Sequence, residues 1–221
     1  MSIVVTGTDT GVGKTVTCAV ILERYCRKLE LGYWKPVATG AVEGRDTSFI
    51  RKTCGGRIDV LEETYLFDPP LSPHLAAARS GVEIDPDRIL AALVSHGMAE
   101  AKRSLVVEGI GGALVPLTRR GYLFADLLGD LHLPCLIVAR STLGTINHTL
   151  LTLEALRSRR IEVAGVVLVG PRNPGNRASI EAFGKVEVIS EVPWLRSVSR
   201  PAVVRQGRRF DPERKLEKYL E

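Results

Sequence analysis

The segment IVVTGTDTGVGKT, residues 3–15, constrains this chain more than any other. An apolar, strand-like run leads into small residues and closes on Gly13-Lys14-Thr15. Strand, glycine-rich turn and helix start in that order spell a phosphate-binding P-loop, because the free N–H groups of a helix N-terminus and the lysine both suit anionic oxygen. The common spacing puts a glycine where Thr8 stands. Here the glycine is Gly7, so the loop is one residue longer and points to a subclass. Gly11 and Gly13 let the backbone from Thr10 through Val12 to Val16 curl around phosphate. Lys14 is placed to neutralise a β- or γ-phosphate, and Thr15 to offer its hydroxyl to Mg²⁺.

Strand-like runs recur at 2–6, 33–37, 105–108, 135–139, 164–169 and 186–189. Helical patterns fall at 15–29, 46–53, 86–102, 146–158 and 177–183. Continuous apolar strands alternating with helices predict a mostly parallel sheet with helices on both faces. The 221 residues suit one such α/β domain, P-loop NTPase-like and spanning 1–221. Aromatic residues are only 5% of the chain, and the apolar share rests on Val, Leu, Ile and Ala, which favours helices packed on a sheet over a sandwich.

The formal charge of +5 suits an anionic ligand. Its excess gathers at Arg205, Arg208, Arg209, Arg214, Lys215 and Lys218, where interspersed acids read as a solvated surface. A nucleic-acid module would interleave several aromatics with such cations; Phe210 alone stands among them, and no recognition motif is read. Cys18, Cys26, Cys54 and Cys135 form no Cys-x-x-Cys pair and read as free thiols of a reducing compartment. No signal peptide is read before Ile3 and no apolar run approaches about 18 residues, so the expectation is a soluble cytoplasmic protein without a membrane partner.

In a parallel sheet, ligands bind at the carboxyl ends of the strands. Here those ends read GTDTGVGKT, KPVATG, EGIGG and ARSTLGTINH, each chemically marked. Mg²⁺ needs hard oxygen ligands beyond Thr15, and Glu108 and Asp46 are placed to supply them. Asp46 also reads as the cap of the next helix. Lys35, expected within a short buried strand, is costly there unless its ammonium meets an anion; a snorkelling lysine on an edge strand is the alternative. The helix start at Leu143-Gly144-Thr145-Ile146-Asn147 suits a carboxylate, or is simply capped by Ser141 or Thr142. His74, in Ser72-Pro73-His74, reads as structural.

Together these stretches resemble the dethiobiotin synthetase family. The matching segments are GTDTGVGKT (7–15), KPVATG (35–40), SPHLAA (72–77), VEGIGG (107–112), LGTINHTLLTLEAL (143–156) and EVPWL (191–195), in the family's order over most of the chain. The resemblance implies a cyclo-ligase of biotin biosynthesis. It closes a ureido ring from 7,8-diaminononanoate, CO₂ or bicarbonate, and ATP or another nucleoside triphosphate, with Mg²⁺. It implies Lys14 and Lys35 as catalytic residues and Thr15, Asp46 and Glu108 as metal ligands. Substrate contacts fall to Lys35, Thr39, Glu108, Gly109, Ile110 and Gly111, and at the helix start to Leu143, Gly144 and Asn147. That helix start acts across a dimer interface in the family, which implies a homodimer.

The nucleotide loop Pro193-Trp194-Leu195 is kept, and Gly170, from the end of the strand-like run 164–169, is expected to join it at the nucleotide. Where the family commonly has an adenine-reading asparagine, however, this chain has Val169, and Arg200 stands near a frequent acid. Low base discrimination is therefore expected. Partition or MinD-like ATPases of the same broad fold carry a second lysine where this chain has Asp9, and they need neither KPVATG nor LGTINH.

Overall fold

Every pairing in the main sheet is parallel. In a computed structural model that describes residues 1–96, 103–195 and 197–221, β1 (Ile3–Gly7) is flanked by β6 (Ser104–Gly112) and β7 (Cys135–Arg140). Beyond β6 lie β2 (Leu31–Trp34) and the short β4 (Asp59–Val60); beyond β7 lie β8 (Val163–Val169) and β9 (Val188–Val192). β3 (Val37–Thr39) and β5 (Tyr65–Phe67) form a separate parallel pair.

The strand period of two sorts the core into two layers. Ile3, Val5, Val106, Leu136, Val138 and Val167 face α1 (Lys14–Tyr25), α2 (Asp46–Cys54) and α8 (Arg200–Gly207). Val4, Val107, Ile137, Ala139, Val166 and Leu168 face the opposite layer. That layer holds α3 (Pro73–Arg79), α4 (Pro86–Ser95), α5 (Phe124–Leu131), α6 (Thr145–Arg157) and α7 (Pro174–Gly184). The two-sided cover explains why the strands read as unbroken apolar runs.

The run 33–37 is not one strand. β2 stops at Trp34, and the chain resumes as β3 in the other pair. Pro36 has no N–H to give to a ladder, so the break falls there. Lys35 thus sits at the carboxyl end of β2, not inside a strand. β6 runs past Glu108 to Gly112, and it bulges against β1: Val5 pairs with Glu108, but Gly7 pairs with Gly112. The extra residues push the backbone of β6 towards the start of α1. α1 ends at Tyr25, short of the predicted 29, and the last part of the predicted helix 86–102, residues 97–102, lies outside the described residues. Periodicity did not reveal α3, α5, α8, β4 or the β3–β5 pair. Among the described residues, no helix is long and apolar enough to cross a membrane. All four cysteines are free.

Candidate active site

β1 delivers the P-loop, and α1 begins on it. Gly13 is the N-cap with φ 100°, a left-handed conformation that suits glycine. Any Cβ there would also approach Val169 Cγ1 at 3.1 Å. The next residue, Lys14, is buried at 7% exposure. Its Nζ donates to the Asp9 carbonyl at 2.9 Å and to the Gly111 carbonyl at 2.8 Å. The second partner is supplied by the β6 bulge. Burial pulls the Lys14 pKa down to about 8, although Glu108 nearby works against that.

A second lysine meets two acids. Lys35 Nζ donates to Asp46 Oδ2 at 2.5 Å and to Glu108 Oε1 at 2.9 Å. Burial alone would lower the Lys35 pKa, but the Glu108 and Asp46 carboxylates outweigh it and raise the value, so the ammonium stays charged. Asp46 shows the reverse balance. Burial would raise its pKa, yet Lys35 and the Thr15 hydroxyl hold it below the ordinary value. Glu108 itself is 1% exposed, and its Oε2 accepts from the Tyr33 hydroxyl at 2.8 Å. Burial and Glu108 push the Tyr33 phenol well above its usual pKa, which keeps the proton on. The Thr15 hydroxyl lies 2.8 Å from both Asp46 Oδ1 and Glu108 Oε1.

The start of α2 that carries Asp46 is itself tied down. Arg45 Nη2 donates to Glu63 at 2.5 Å and to Glu62 at 2.9 Å, and Thr47 donates to Glu63 at 2.8 Å.

Lys14, Thr15, Lys35, Asp46 and Glu108 line one cleft of about 610 Å³. Of the predicted residues, Thr10, Gly11, Gly13, Lys14, Thr15, Val16, Lys35, Thr39, Asp46, Glu108, Ile110 and Gly111 border it. Val12 is buried in the α1 layer, and the Gly109 Cα hydrogens pack against Phe124, whose ring a Cβ would meet at 2.6 Å. Sequence reasoning missed Gly40, Glu43, residues 70–73 and Val115, which complete the wall. Ser72 and Pro73 belong to the SPHLAA segment, whose sequence does not mark a cleft wall.

The helix-start residues stand apart. Gly144 caps α6 in a left-handed conformation, Asn147 lies in its first turn, and neither they nor Leu143, which is fully exposed, border the cleft. The residues expected on the base side also stand apart. Gly170 donates its N–H to the Val192 carbonyl at 2.9 Å, which fixes the ends of β8 and β9 together. A Cβ on Gly170 would lie 2.5 Å from Ser141 Oγ and 2.6 Å from Trp194 Nε1. Pro193 and Trp194 are exposed and Leu195 half-buried. Arg200 packs its guanidinium over Gly55. His74 pairs with the Ser72 hydroxyl at 3.0 Å and lines a different hollow, beside Arg119 and Arg120.

A parallel sheet with a glycine-rich loop on its central strand, a buried loop lysine and an acid pair behind it makes this a P-loop nucleotide-binding protein. A family model described as an AAA domain matches residues 1–202. Among solved structures, the chain is similar to the MinC:MinD cell division complex of Aquifex aeolicus, with TM-score 0.61, 12% identity, and 94% of each chain covered. It is also similar to a ParA family ATPase of Chlorobium tepidum TLS, with TM-score 0.57, 11% identity, and 99% of this chain and 95% of that one covered. At such identity the likeness concerns the fold alone.

The sequence relatives are more specific. The ATP-dependent dethiobiotin synthetase BioD of Novosphingobium aromaticivorans is 44% identical over 90% of this chain and 91% of its own length. That of Paramagnetospirillum magneticum is 43% identical over 90% and 91%. The chain belongs to the dethiobiotin synthetase family.

Proposed function

We propose that this family member is a working dethiobiotin synthetase, a ligase that closes the ureido ring of dethiobiotin from 7,8-diaminononanoate, CO₂ and a nucleoside triphosphate. One observation carries the reading. Two buried lysines, one on backbone carbonyls and one on two carboxylates, converge on a single cleft beside Thr15. Asp9, where the MinD-like reading needs a lysine, is an exposed acid that accepts from the Thr10 N–H at 2.7 Å.

The chemistry divides into steps that these residues suit. One substrate amine adds to CO₂ and loses a proton to give a carbamate. A carbamate oxygen attacks the γ-phosphorus, and the nucleoside diphosphate leaves. The second amine then attacks the carbonyl carbon of the mixed anhydride and expels inorganic phosphate. Phosphoryl transfer needs positioning and charge neutralisation more than covalent help. The loop N–H groups and Lys14 hold the phosphates. Lys35, kept charged by its two acids, faces the carbamate and the oxygens that gain charge; one such contact is worth about 2.7–4 kcal/mol. Thr39 offers a hydroxyl to the substrate, and the backbone at Ile110 and Gly111 lets the substrate approach closely.

Mg²⁺ fits the donor set. Thr15 has one hydroxyl proton for two carboxylate oxygens at 2.8 Å, so one contact sets two acceptors against each other. A hard divalent cation relieves such crowding of oxygens. Thr15, Asp46 and Glu108 would hold it, and once bound it supplies charge neutralisation at the phosphates. The α6 start, exposed and outside its own cleft, suits a homodimer in which Leu143, Gly144 and Asn147 take the substrate carboxylate of a second copy.

The test is turnover with diaminononanoate, bicarbonate and ATP, followed by phosphate release and by mass spectrometry of the product. Phosphate release that ignores the diamine, or the absence of a ureido product, would overturn the assignment.

A further inference from the structure

Glu108 is gripped by both oxygens, and the two grips differ in kind. Oε1 meets Lys35 and Thr15 at the cleft wall. Oε2 points back into the protein, where the Tyr33 hydroxyl donates to it at 2.8 Å. Strand register explains the reach. Tyr33 pairs with Val106 and Trp34 with Val107, so Glu108 lies one pleat beyond Tyr33 on the same face of the sheet. Diagonal neighbours of that type stand about 7–8 Å apart, within range of a long aromatic side chain. Tyr33 is fully buried in the α1 layer, so its ring is fixed by packing before its hydroxyl is used.

The terminal torsion of a glutamate is broad, and packing alone does not fix the plane of its carboxylate. We propose that Tyr33 is a positioning residue: its hydroxyl pins Oε2 so that Oε1 is presented, already oriented, to a divalent cation shared with Thr15 and Asp46. The inference rests on the reading of Glu108 as a metal ligand. Tyr33 adds a neutral donor, so it orients the carboxylate without spending the negative charge that a cation needs. Partners of this kind typically contribute about 10–100-fold to metal affinity.

The experiment measures Mn²⁺ binding to the whole protein with a non-hydrolysable triphosphate analogue, by the loss of the free Mn²⁺ paramagnetic resonance signal. The parent, Tyr33→Phe and Glu108→Gln are compared, with thermal unfolding recorded for each. Tyr33→Phe keeps the ring and removes only the hydroxyl. The expected result is Mn²⁺ affinity weaker by about tenfold or more in both variants. In turnover, the Mg²⁺ requirement of Tyr33→Phe rises while the nucleotide KM at saturating Mg²⁺ holds. If Glu108→Gln loses Mn²⁺ and Tyr33→Phe binds it like the parent, Tyr33 is core filler and the inference falls alone. If Glu108→Gln also binds like the parent, the ligand assignment falls and takes the inference with it.

Discussion

The two ends of the proposed nucleotide region are built on opposite plans. At the phosphate end, charges are buried and matched: Lys35 lies between Asp46 and Glu108, and Lys14 between two carbonyls. At the base end, Val169 turns its side chain onto Gly13 of the P-loop, Trp194 is 60% exposed, and the buried Ser141 hydroxyl has no partner among the described residues. On the proposed reading, affinity and catalysis are concentrated where charge is held in place. Selectivity for the base has few fixed groups to work with. A site rejects the wrong ligand strongly when that ligand leaves a buried polar group unpaired.

The sharpest way to break the comparison is to remove a lysine from the phosphate end. Lys35→Ala and Lys14→Ala should each lower kcat by roughly a hundred- to a thousandfold at saturating substrates. The two should differ in stability. Lys35→Ala leaves two carboxylates facing each other without their cation, and breaking a buried pair of this type costs about 3–5 kcal/mol before solvent screening of Asp46 reduces it. Lys14→Ala strands only backbone carbonyls. Thermal unfolding beside steady-state kinetics checks both, and near-normal turnover in Lys35→Ala would remove its assigned role.

Next in size is the metal. Glu108→Gln should raise the Mg²⁺ concentration for half-maximal turnover by about tenfold or more, with a smaller change in nucleotide affinity measured calorimetrically. Full activity in excess chelator would contradict the ligand set.

At the base end the effects should be modest. The kcat/KM values for ATP, GTP, CTP and UTP should fall within about a hundredfold of one another, since Val169 offers no hydrogen bond to an adenine. A larger preference for ATP would mean that other groups read the base. The smallest expected effect is that of Gly170→Ala. The new methyl meets Ser141 Oγ and Trp194 Nε1 at 2.5 and 2.6 Å with φ at 135°, so the β8–β9 corner must shift. The nucleotide KM should move by no more than about tenfold, or ~1.4 kcal/mol, with kcat retained. A collapse of kcat would show that the two ends are coupled.

Much of the phosphate end was legible in the sequence because it is written at strand ends. β1, β6 and β7 are long apolar runs, and the residues that follow them had to meet at one edge of the sheet. Lys35, Asp46 and Glu108 converge there as read. The side walls were not legible. β3 and β5 have three residues each, too few for periodicity to register, and they carry Thr39, Gly40 and the turn at 70–73 to the cleft. Pro36 was the available sign that the run 33–37 must break. Tyr33 read only as strand filler, because its partner lies 75 positions away and is defined by register alone. α8 was hidden by its arginines, although Pro201 near its start fits a helix opening.

The placement of β1 between β6 and β7 has a consequence for how the molecule comes into being. Contacts that join distant stretches are closed late, because loop entropy must be spent first. Thr15 meets Glu108 across 93 positions. At about 5–20 residues per second of synthesis, β1 and its loop wait roughly 5–20 s for β6 to emerge. For that interval a strand of five core residues has both hydrogen-bonding edges open, the condition that invites pairing with another chain. The strand that carries the phosphate loop is thus also the stretch of nascent chain in greatest need of shelter.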